Sequence, residues 1–147
     1  MSIIKYIVTI FKLQKMTDHV AKEKYLKYDI QKLRKLAQKV FNAYILRRDS
    51  DGICYSCGSN KGNQCGHYYS RGSHPGLALE ELNCGRQCTH CNLYKHGALI
   101  EFRQGLINRL GEEMVKVLDT KAAWYKRHPF KPDRFYYIQK ITEYKNK

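Results

Sequence analysis

Two pairs of cysteines constrain the fold of this chain more than any other sequence feature. Cys54 and Cys57 form one C-x-x-C pair, and Cys88 and Cys91 form a second pair after a long interval, residues 58–87. Two thiolates three residues apart hold one side of a tetrahedral zinc ion, and a second pair completes the coordination. We therefore predict a structural Zn²⁺ site. A redox-active dithiol is the alternative, which the matched spacing of the pairs disfavours.

The remaining cysteines and the N-terminal residues bear on the cellular compartment. Six cysteines could form disulfides in a secreted chain, but the apolar residues 1–11 are interrupted by Lys5, lack a cleavage site and are too short to span a membrane. We expect a strand or a packed helix there, a reducing cytoplasm and no membrane partner. Cys65 could compete as a zinc ligand, but we expect Cys65 and Cys84 to be small buried thiols.

The charge balance indicates a polyanionic partner. The 147 residues include 27 Lys and Arg against 13 Asp and Glu, which gives a formal net charge of +14. Because neutralisation of phosphates dominates nucleic-acid binding, DNA or RNA is the first candidate, and a merely solvated basic surface is the alternative. Some of the 12 tyrosines could stack on bases, although most have the spacing of core residues on helices.

The chain is expected to form a single domain over 1–147, divided into three regions. The first, 22–48, is predicted as one basic amphipathic helix, because its apolar residues recur at steps of three and four. Lys32 and Lys35 lie mostly off the apolar stripe and are candidate contacts to a phosphate backbone, or else part of a solvated face. The predicted stripe consists of Leu26, Ile30, Leu33, Ala37, Val40 and Tyr44.

The middle region, 53–97, is rich in Gly, Cys, His and Asn, and we expect it to hold the chemistry. Residues 65–70 favour a short strand, 71–76 must form a loop, and a helix is predicted to begin near Cys88. The last region, 98–147, is predicted to be helical with two breaks. Its predicted apolar faces contain Leu99, Phe102, Leu106, Leu110, Met114, Val117, Leu118, Trp124, Phe135, Ile138, Ile141 and Tyr144.

Residues between the cysteine pairs and directly after the second pair resemble a known class of nuclease. They are Gly66-His67-Tyr68, Arg71, His74, Asn83 and Gln87-Cys88-x-x-Cys91-Asn92-x-x-x-His96-Gly97. In this order they are similar to the signature positions of HNH, or ββα-metal, nucleases with a four-cysteine zinc site. The nearest resemblance, over roughly 33–118, is to the phage NinG (Rap) recombination endonuclease family. It implies an α+β fold in which a small zinc-stapled ββα-metal core is flanked by N- and C-terminal helices.

The same resemblance implies metal-dependent hydrolysis of phosphodiester bonds in DNA, in particular branched, single-strand-containing or recombination-intermediate DNA. A phage endonuclease of this kind would act in the cytoplasm of the bacterial host and could contact recombination proteins. Two other functions stay open. One is a non-catalytic zinc module that binds DNA or RNA, and the other is a zinc-stapled adaptor for recombination proteins.

Residue roles follow from the matched positions. His67 is the candidate general base, since a neutral imidazole can take a proton from water near pH 7. By resemblance, Asn83 is expected to orient His67. Asn92 and His96, four residues apart on one face of the expected helix, are the implied ligands of a catalytic Mg²⁺ or Mn²⁺ ion.

Two positions depart from the family pattern. Many HNH enzymes carry Asp or His directly before the catalytic histidine, where this chain has Gly66, and NinG-like chains often carry Asp where this chain has Gln64. We therefore expect fewer anionic ligands on the catalytic ion. Arg71 and Lys95 are candidate phosphate contacts, with ordinary solvated side chains as the alternative for both.

Overall fold

The computed structural model describes residues 23–147, so the strand or helix expected over residues 1–11 lies outside the described residues. The described part combines helices with one two-stranded antiparallel sheet, which confirms the predicted α+β class. Its main elements are α1 (Ile30–Arg48), β1 (Gln64–His67), β2 (Cys84–Gln87), α2 (Leu99–Leu110), α3 (Glu112–Arg127) and α4 (Arg134–Asn146).

The prediction of one continuous helix over 22–48 is wrong. A helical turn at residues 23–26 is separated from α1 by a short break. Asp29 causes the new start, because its side chain accepts a hydrogen bond from the backbone N–H of Lys32 at 2.8 Å and so caps α1. The helix ends at Arg48, where the predicted turn residues begin.

The buried face of α1 is rotated relative to the predicted stripe. Leu26 and Ile30 are 45% and 47% exposed, whereas Leu33 and Ala37 are fully buried. Val40 and Tyr44 are only partly buried, at the edge of the core. The helix buries residues at steps of four toward α4, namely Leu33, Ala37, Phe41 and Ile45.

Two apolar clusters lie on either side of the small sheet. The first joins α1 to α4, where the Tyr144 ring meets Phe41 edge-on at 4.8 Å between centroids. The second joins α2 and α3 to the first cysteine loop through Tyr55, which packs on Phe102. The cysteine-rich region is therefore held between two helical pairs, each of which buries one of its sides.

The sheet places alternate residues on opposite faces. Cys65 pairs with Arg86 and His67 pairs with Cys84, so these four side chains share one face. The strand predicted over 65–70 ends at His67, because the chain then turns and Tyr69 bonds to the side chain of Asn83.

The helix predicted to begin near Cys88 is reduced to a five-residue π-helical turn, His90–Tyr94. Lys95 follows this turn, and His96 lies beyond it in a left-handed conformation, with φ of 49°. A left-handed non-glycine residue cannot continue a helix, so the expectation that His96 shares a helical face with Asn92 is wrong.

The C-terminal helices form as predicted, with Gly111 between α2 and α3 at φ of 86°. Within α3 the predicted core residues Met114, Val117 and Trp124 are exposed, and Val115 and Ala122 are buried with Leu118. Leu99 and Phe135, at the first turns of α2 and α4, are also exposed. In the described residues, none of the helices has the length and apolar character needed to cross a lipid bilayer.

Candidate functional site

The two cysteine pairs converge on one point. The Sγ atoms of Cys54, Cys57, Cys88 and Cys91 all lie within 4.8 Å of one another, and Cys57 Sγ is 3.8 Å from Cys88 Sγ. Three of the four side chains are buried, and only Cys57 is exposed. This arrangement can hold a tetrahedral metal ion such as zinc.

Local backbone geometry shapes each cysteine pair. After Cys57, Gly58 adopts a left-handed φ of 71°, which brings its N–H to the carbonyl of Cys54 at 2.8 Å. In the second pair the N–H of Cys91 donates to Cys88 Sγ at 3.4 Å. Hydrogen bonds from Ser59 lower the pKa of Cys57 to about 6, so its thiolate forms readily at neutral pH.

A cleft of about 810 Å³ lies beside this centre, between α1, the loop after β1, the turn at 92–97 and the start of α4. It brings together five of the predicted site residues, namely Lys35, His67, Arg71, Asn92 and His96. Asn83, Lys32 and Lys95 do not line it. Lys95 is exposed, and the ammonium of Lys32 lies 4.0 Å from the centre of the Tyr28 ring.

The orientation of the His67 ring is set by a backbone carbonyl. Its Nε2 lies 3.0 Å from the carbonyl oxygen of Ala78, which can only accept, so Nε2 carries the proton and Nδ1 is unprotonated in the neutral ring. The side chain of Gln38 also donates to this carbonyl, at 3.2 Å. Burial, aided by the positive charge of Arg71, lowers the pKa of His67 to about 4. The imidazole is therefore neutral at pH 7, and the lone pair of Nδ1 is unprotonated.

Asn83 supports this arrangement without touching the His67 ring. Its fully buried side chain accepts from the N–H of Tyr69 at 2.7 Å and donates to the carbonyls of Tyr69 and Leu77 at 2.9 and 3.0 Å. Leu77 directly precedes Ala78, so Asn83 fixes the loop that presents the carbonyl to His67. Its effect on the ring is indirect.

The amide groups around Asn92 are organised by Gln64. The Nδ2 of Asn92 donates to Gln64 Oε1 at 2.6 Å, and Gln64 Nε2 donates to the hydroxyl of Thr89 at 3.2 Å. With its nitrogen engaged in this way, Asn92 has its amide oxygen left as a potential metal ligand. The exposed His96 lies at the rim of the same cleft.

Sequence reasoning assigned no role to three residues that shape the site. Buried Gln87 donates to the carbonyl of Gly97 at 2.6 Å and so holds the turn that follows His96. Arg34 lines the cleft beside Lys35, and its positive charge on the same helix was a signal of the same kind as that of Lys35. The contact from Ala78 uses a backbone carbonyl, which leaves no signal in the sequence.

Comparison with known proteins identifies the relatives of this chain. The family model described as Bacteriophage Lambda NinG protein matches residues 12–147. The chain belongs to the NinG family. This NinG chain is 35% identical over 119 residues to Protein ninG of Escherichia phage lambda, an alignment covering 76% of this chain and 57% of that protein. Protein ninG of Escherichia phage 933W is also 35% identical over 119 residues, covering 76% and 58%.

A further relative is Protein ninG of Salmonella phage P22, which is 38% identical over 96 residues and matches 64% of this chain. That alignment covers 46% of the P22 protein. The matched part of this NinG chain thus spans about half the length of these relatives. No solved structure matches it.

Proposed function

We propose that this NinG chain is a metal-dependent DNA endonuclease of the HNH type. The proposal rests on one cleft, which brings His67 together with Asn92, His96 and basic side chains. In this cleft the His67 ring is neutral, and its hydrogen bond to Ala78 fixes the proton on Nε2. A phosphodiester hydrolase needs a proton acceptor for water and positive charge at the phosphate, and this cleft offers residues suited to both.

In this proposal His67 removes the proton from the attacking water through Nδ1, while Nε2–H remains bound to the Ala78 carbonyl. Asn92, through its amide oxygen, and His96, through its imidazole, would hold a Mg²⁺ or Mn²⁺ ion. When bound, such an ion relieves negative charge on the phosphate. The four-cysteine centre would hold a structural Zn²⁺, since four thiolates leave no coordination position for water.

The charge of the cleft supports a nucleic acid as substrate. Arg34, Lys35 and Arg71 line it, and among residues 23–147 no Asp or Glu does. Arg71 is exposed and can contact a phosphate with two N–H groups. We propose DNA with branches or single-stranded segments as the substrate, the bacterial host cytoplasm as the location, and recombination proteins as further partners.

The second candidate is a non-catalytic, zinc-dependent module that binds DNA or RNA. It is favoured by the same lack of carboxylates among the described cleft residues, because Mg²⁺ is normally bound through at least one carboxylate. The position that Asp often occupies in NinG-like chains is Gln64, whose side chain is engaged with Asn92.

Replacing one metal ligand separates the two candidates. Wild type should nick supercoiled plasmid in Mn²⁺ and not in a chelator that spares the zinc. His96→Ala should cut more slowly, with partial recovery in excess Mn²⁺, because the imidazole ligand to the ion is lost. His90→Ala is the matched control, an exposed histidine that does not line the cleft, and should cut at the wild-type rate. Wild-type protein that binds DNA and contains zinc but never cuts it would support the second candidate.

A further inference from the structure

A second cluster of metal-binding side chains lies outside the four-cysteine centre. The Sγ atoms of Cys65 and Cys84 and one ring nitrogen of His67 all lie within 4.8 Å of one another. The sheet produces this proximity, because Cys65 is two residues before His67 on β1 and Cys84 is directly opposite His67 on β2. All three side chains therefore leave the same face of the sheet.

The backbone that carries the cluster is well fixed. The Arg48 guanidinium donates to the carbonyl of Cys84 at 2.8 Å and to that of Glu81 at 3.0 Å, and its charge is paired with Asp49. Cys65 and Cys84 are held by the antiparallel ladder itself. The three ligand atoms, within 4.8 Å of one another, are thus close enough to contact one tetrahedral ion.

The cluster is open on one side. Cys84 is fully buried, but Cys65 and His67 are half-buried and both line the cleft. An ion can therefore reach them from the cleft, and its fourth coordination position would face the solvent. The four-cysteine centre differs in this respect, since there the protein offers four thiol groups as ligands.

We propose that Cys65, His67 and Cys84 form a second metal site, which takes a thiophilic ion such as Zn²⁺, Co²⁺ or Cd²⁺. Two sulfur ligands and one imidazole suit these ions and discriminate against Mg²⁺, which prefers oxygen. On binding, each cysteine releases its thiol proton to solvent and the two thiolates and the imidazole donate electron pairs to the ion. With three protein ligands, this site binds more weakly than the four-cysteine centre.

The site has a consequence that rests on the proposed function. With Nε2–H bound to the Ala78 carbonyl, the neutral His67 ring has only one nitrogen lone pair available. An ion bound by His67 and the two thiolates uses this lone pair, so it can no longer accept the proton from water. Thiophilic ions would then inhibit cleavage, whereas Mg²⁺ or Mn²⁺ would support it.

Cobalt titration tests the site independently of cleavage. Reduced, zinc-loaded wild type titrated with Co²⁺ should bind one further ion per chain and develop thiolate-to-cobalt charge-transfer absorption, with the original zinc retained by elemental analysis. Cys65→Ser should lose this second ion, and so should Cys84→Ala. Agreement between the two variants guards against a folding defect in either one. His90→Ala should retain it, and Mg²⁺ should not displace the bound cobalt. No thiolate absorption in wild type, or equal absorption in Cys65→Ser, would overturn the proposal.

A second arm compares each protein with itself, with and without excess Zn²⁺, in the plasmid assay. Zinc should slow cleavage by wild type and have little effect on Cys65→Ser. If neither wild type nor any variant cuts DNA, the endonuclease proposal fails, while the cobalt titration still decides whether the metal site exists. If wild type cuts DNA but binds no second thiophilic ion, the metal site fails and the endonuclease proposal stands.

Discussion

Replacing Asn83 with alanine should destabilise the fold far more than its polar character suggests. The Asn83 side chain is fully buried and makes three hydrogen bonds, all to backbone groups of Tyr69 and Leu77. Each such bond contributes about 0.5–1.5 kcal/mol net, so their loss should lower the free energy of unfolding by about 1.5–4.5 kcal/mol. The upper part of this range applies because alanine leaves the partner groups unsatisfied.

The matched control is Asn92→Ala. This asparagine is half-buried and donates one side-chain hydrogen bond, to Gln64, so its loss should cost only about 0.5–1.5 kcal/mol. Both free energies can be measured by urea unfolding at saturating Zn²⁺, followed by tryptophan fluorescence. Both variants should cut DNA poorly, Asn83→Ala because the Ala78 carbonyl moves and Asn92→Ala because a metal ligand is lost.

The stability comparison can refute the structural account of Asn83. Equal unfolding free energies for the two variants would show that Asn83 does not hold the loop after β1.

Three further changes test other parts of the structure. Cys54→Ser should abolish stoichiometric zinc by elemental analysis and leave the chain largely unfolded by circular dichroism, because zinc binding contributes folding free energy directly; a folded variant with full zinc content would contradict the four-cysteine site. Lys35→Ala should weaken DNA binding and reduce the magnitude of the slope of log affinity against log salt by about 1. Lys116→Ala should change neither, because the ammonium of Lys116 is already paired with glutamates. Gly105→Ala should lower the free energy of unfolding by about 1–3 kcal/mol, since the new Cβ would clash with the carbonyl oxygen of Tyr55. Gly72→Ala, where the new Cβ would have no atom within 4 Å, should change it by less than about 0.5 kcal/mol. Equal effects of the two glycine substitutions would refute the close approach of α2 to the cysteine loop.

The sequence predicted what depends on short-range patterns. The spacing within the cysteine pairs anticipated the convergence of four Sγ atoms, and helical periodicity located α2, α3 and α4. The same periodicity predicted the wrong buried face for α1. Several apolar stripes on this helix are compatible with it, and only the position of α4 determines which stripe is buried. Asp29, a good N-cap residue, was the available signal for the break before α1.

The site was less predictable because its geometry depends on backbone groups. His67 is oriented by the carbonyl of Ala78, and any residue there would supply the same oxygen. The helix expected to carry His96 fails because residues 95–98 form a tight turn with two left-handed non-glycine residues, which no propensity favours. Lys35 was found from charge, and Arg71 from charge together with its place in the resembling motif. Charge did not distinguish them from Lys32 and Lys95, which lie outside the cleft.

The most direct test of the endonuclease proposal is the single-turnover rate of plasmid cleavage by His67→Ala in saturating Mn²⁺. The rate should fall by about 10²–10⁴-fold relative to wild type, with zinc content and DNA affinity retained and no recovery in excess Mn²⁺, because no concentration of metal replaces the lost proton acceptor. His90→Ala, measured in parallel, should cut at the wild-type rate. Cleavage by His67→Ala at the wild-type rate would contradict the assignment of His67 as the general base and, with it, the HNH mechanism proposed for this chain.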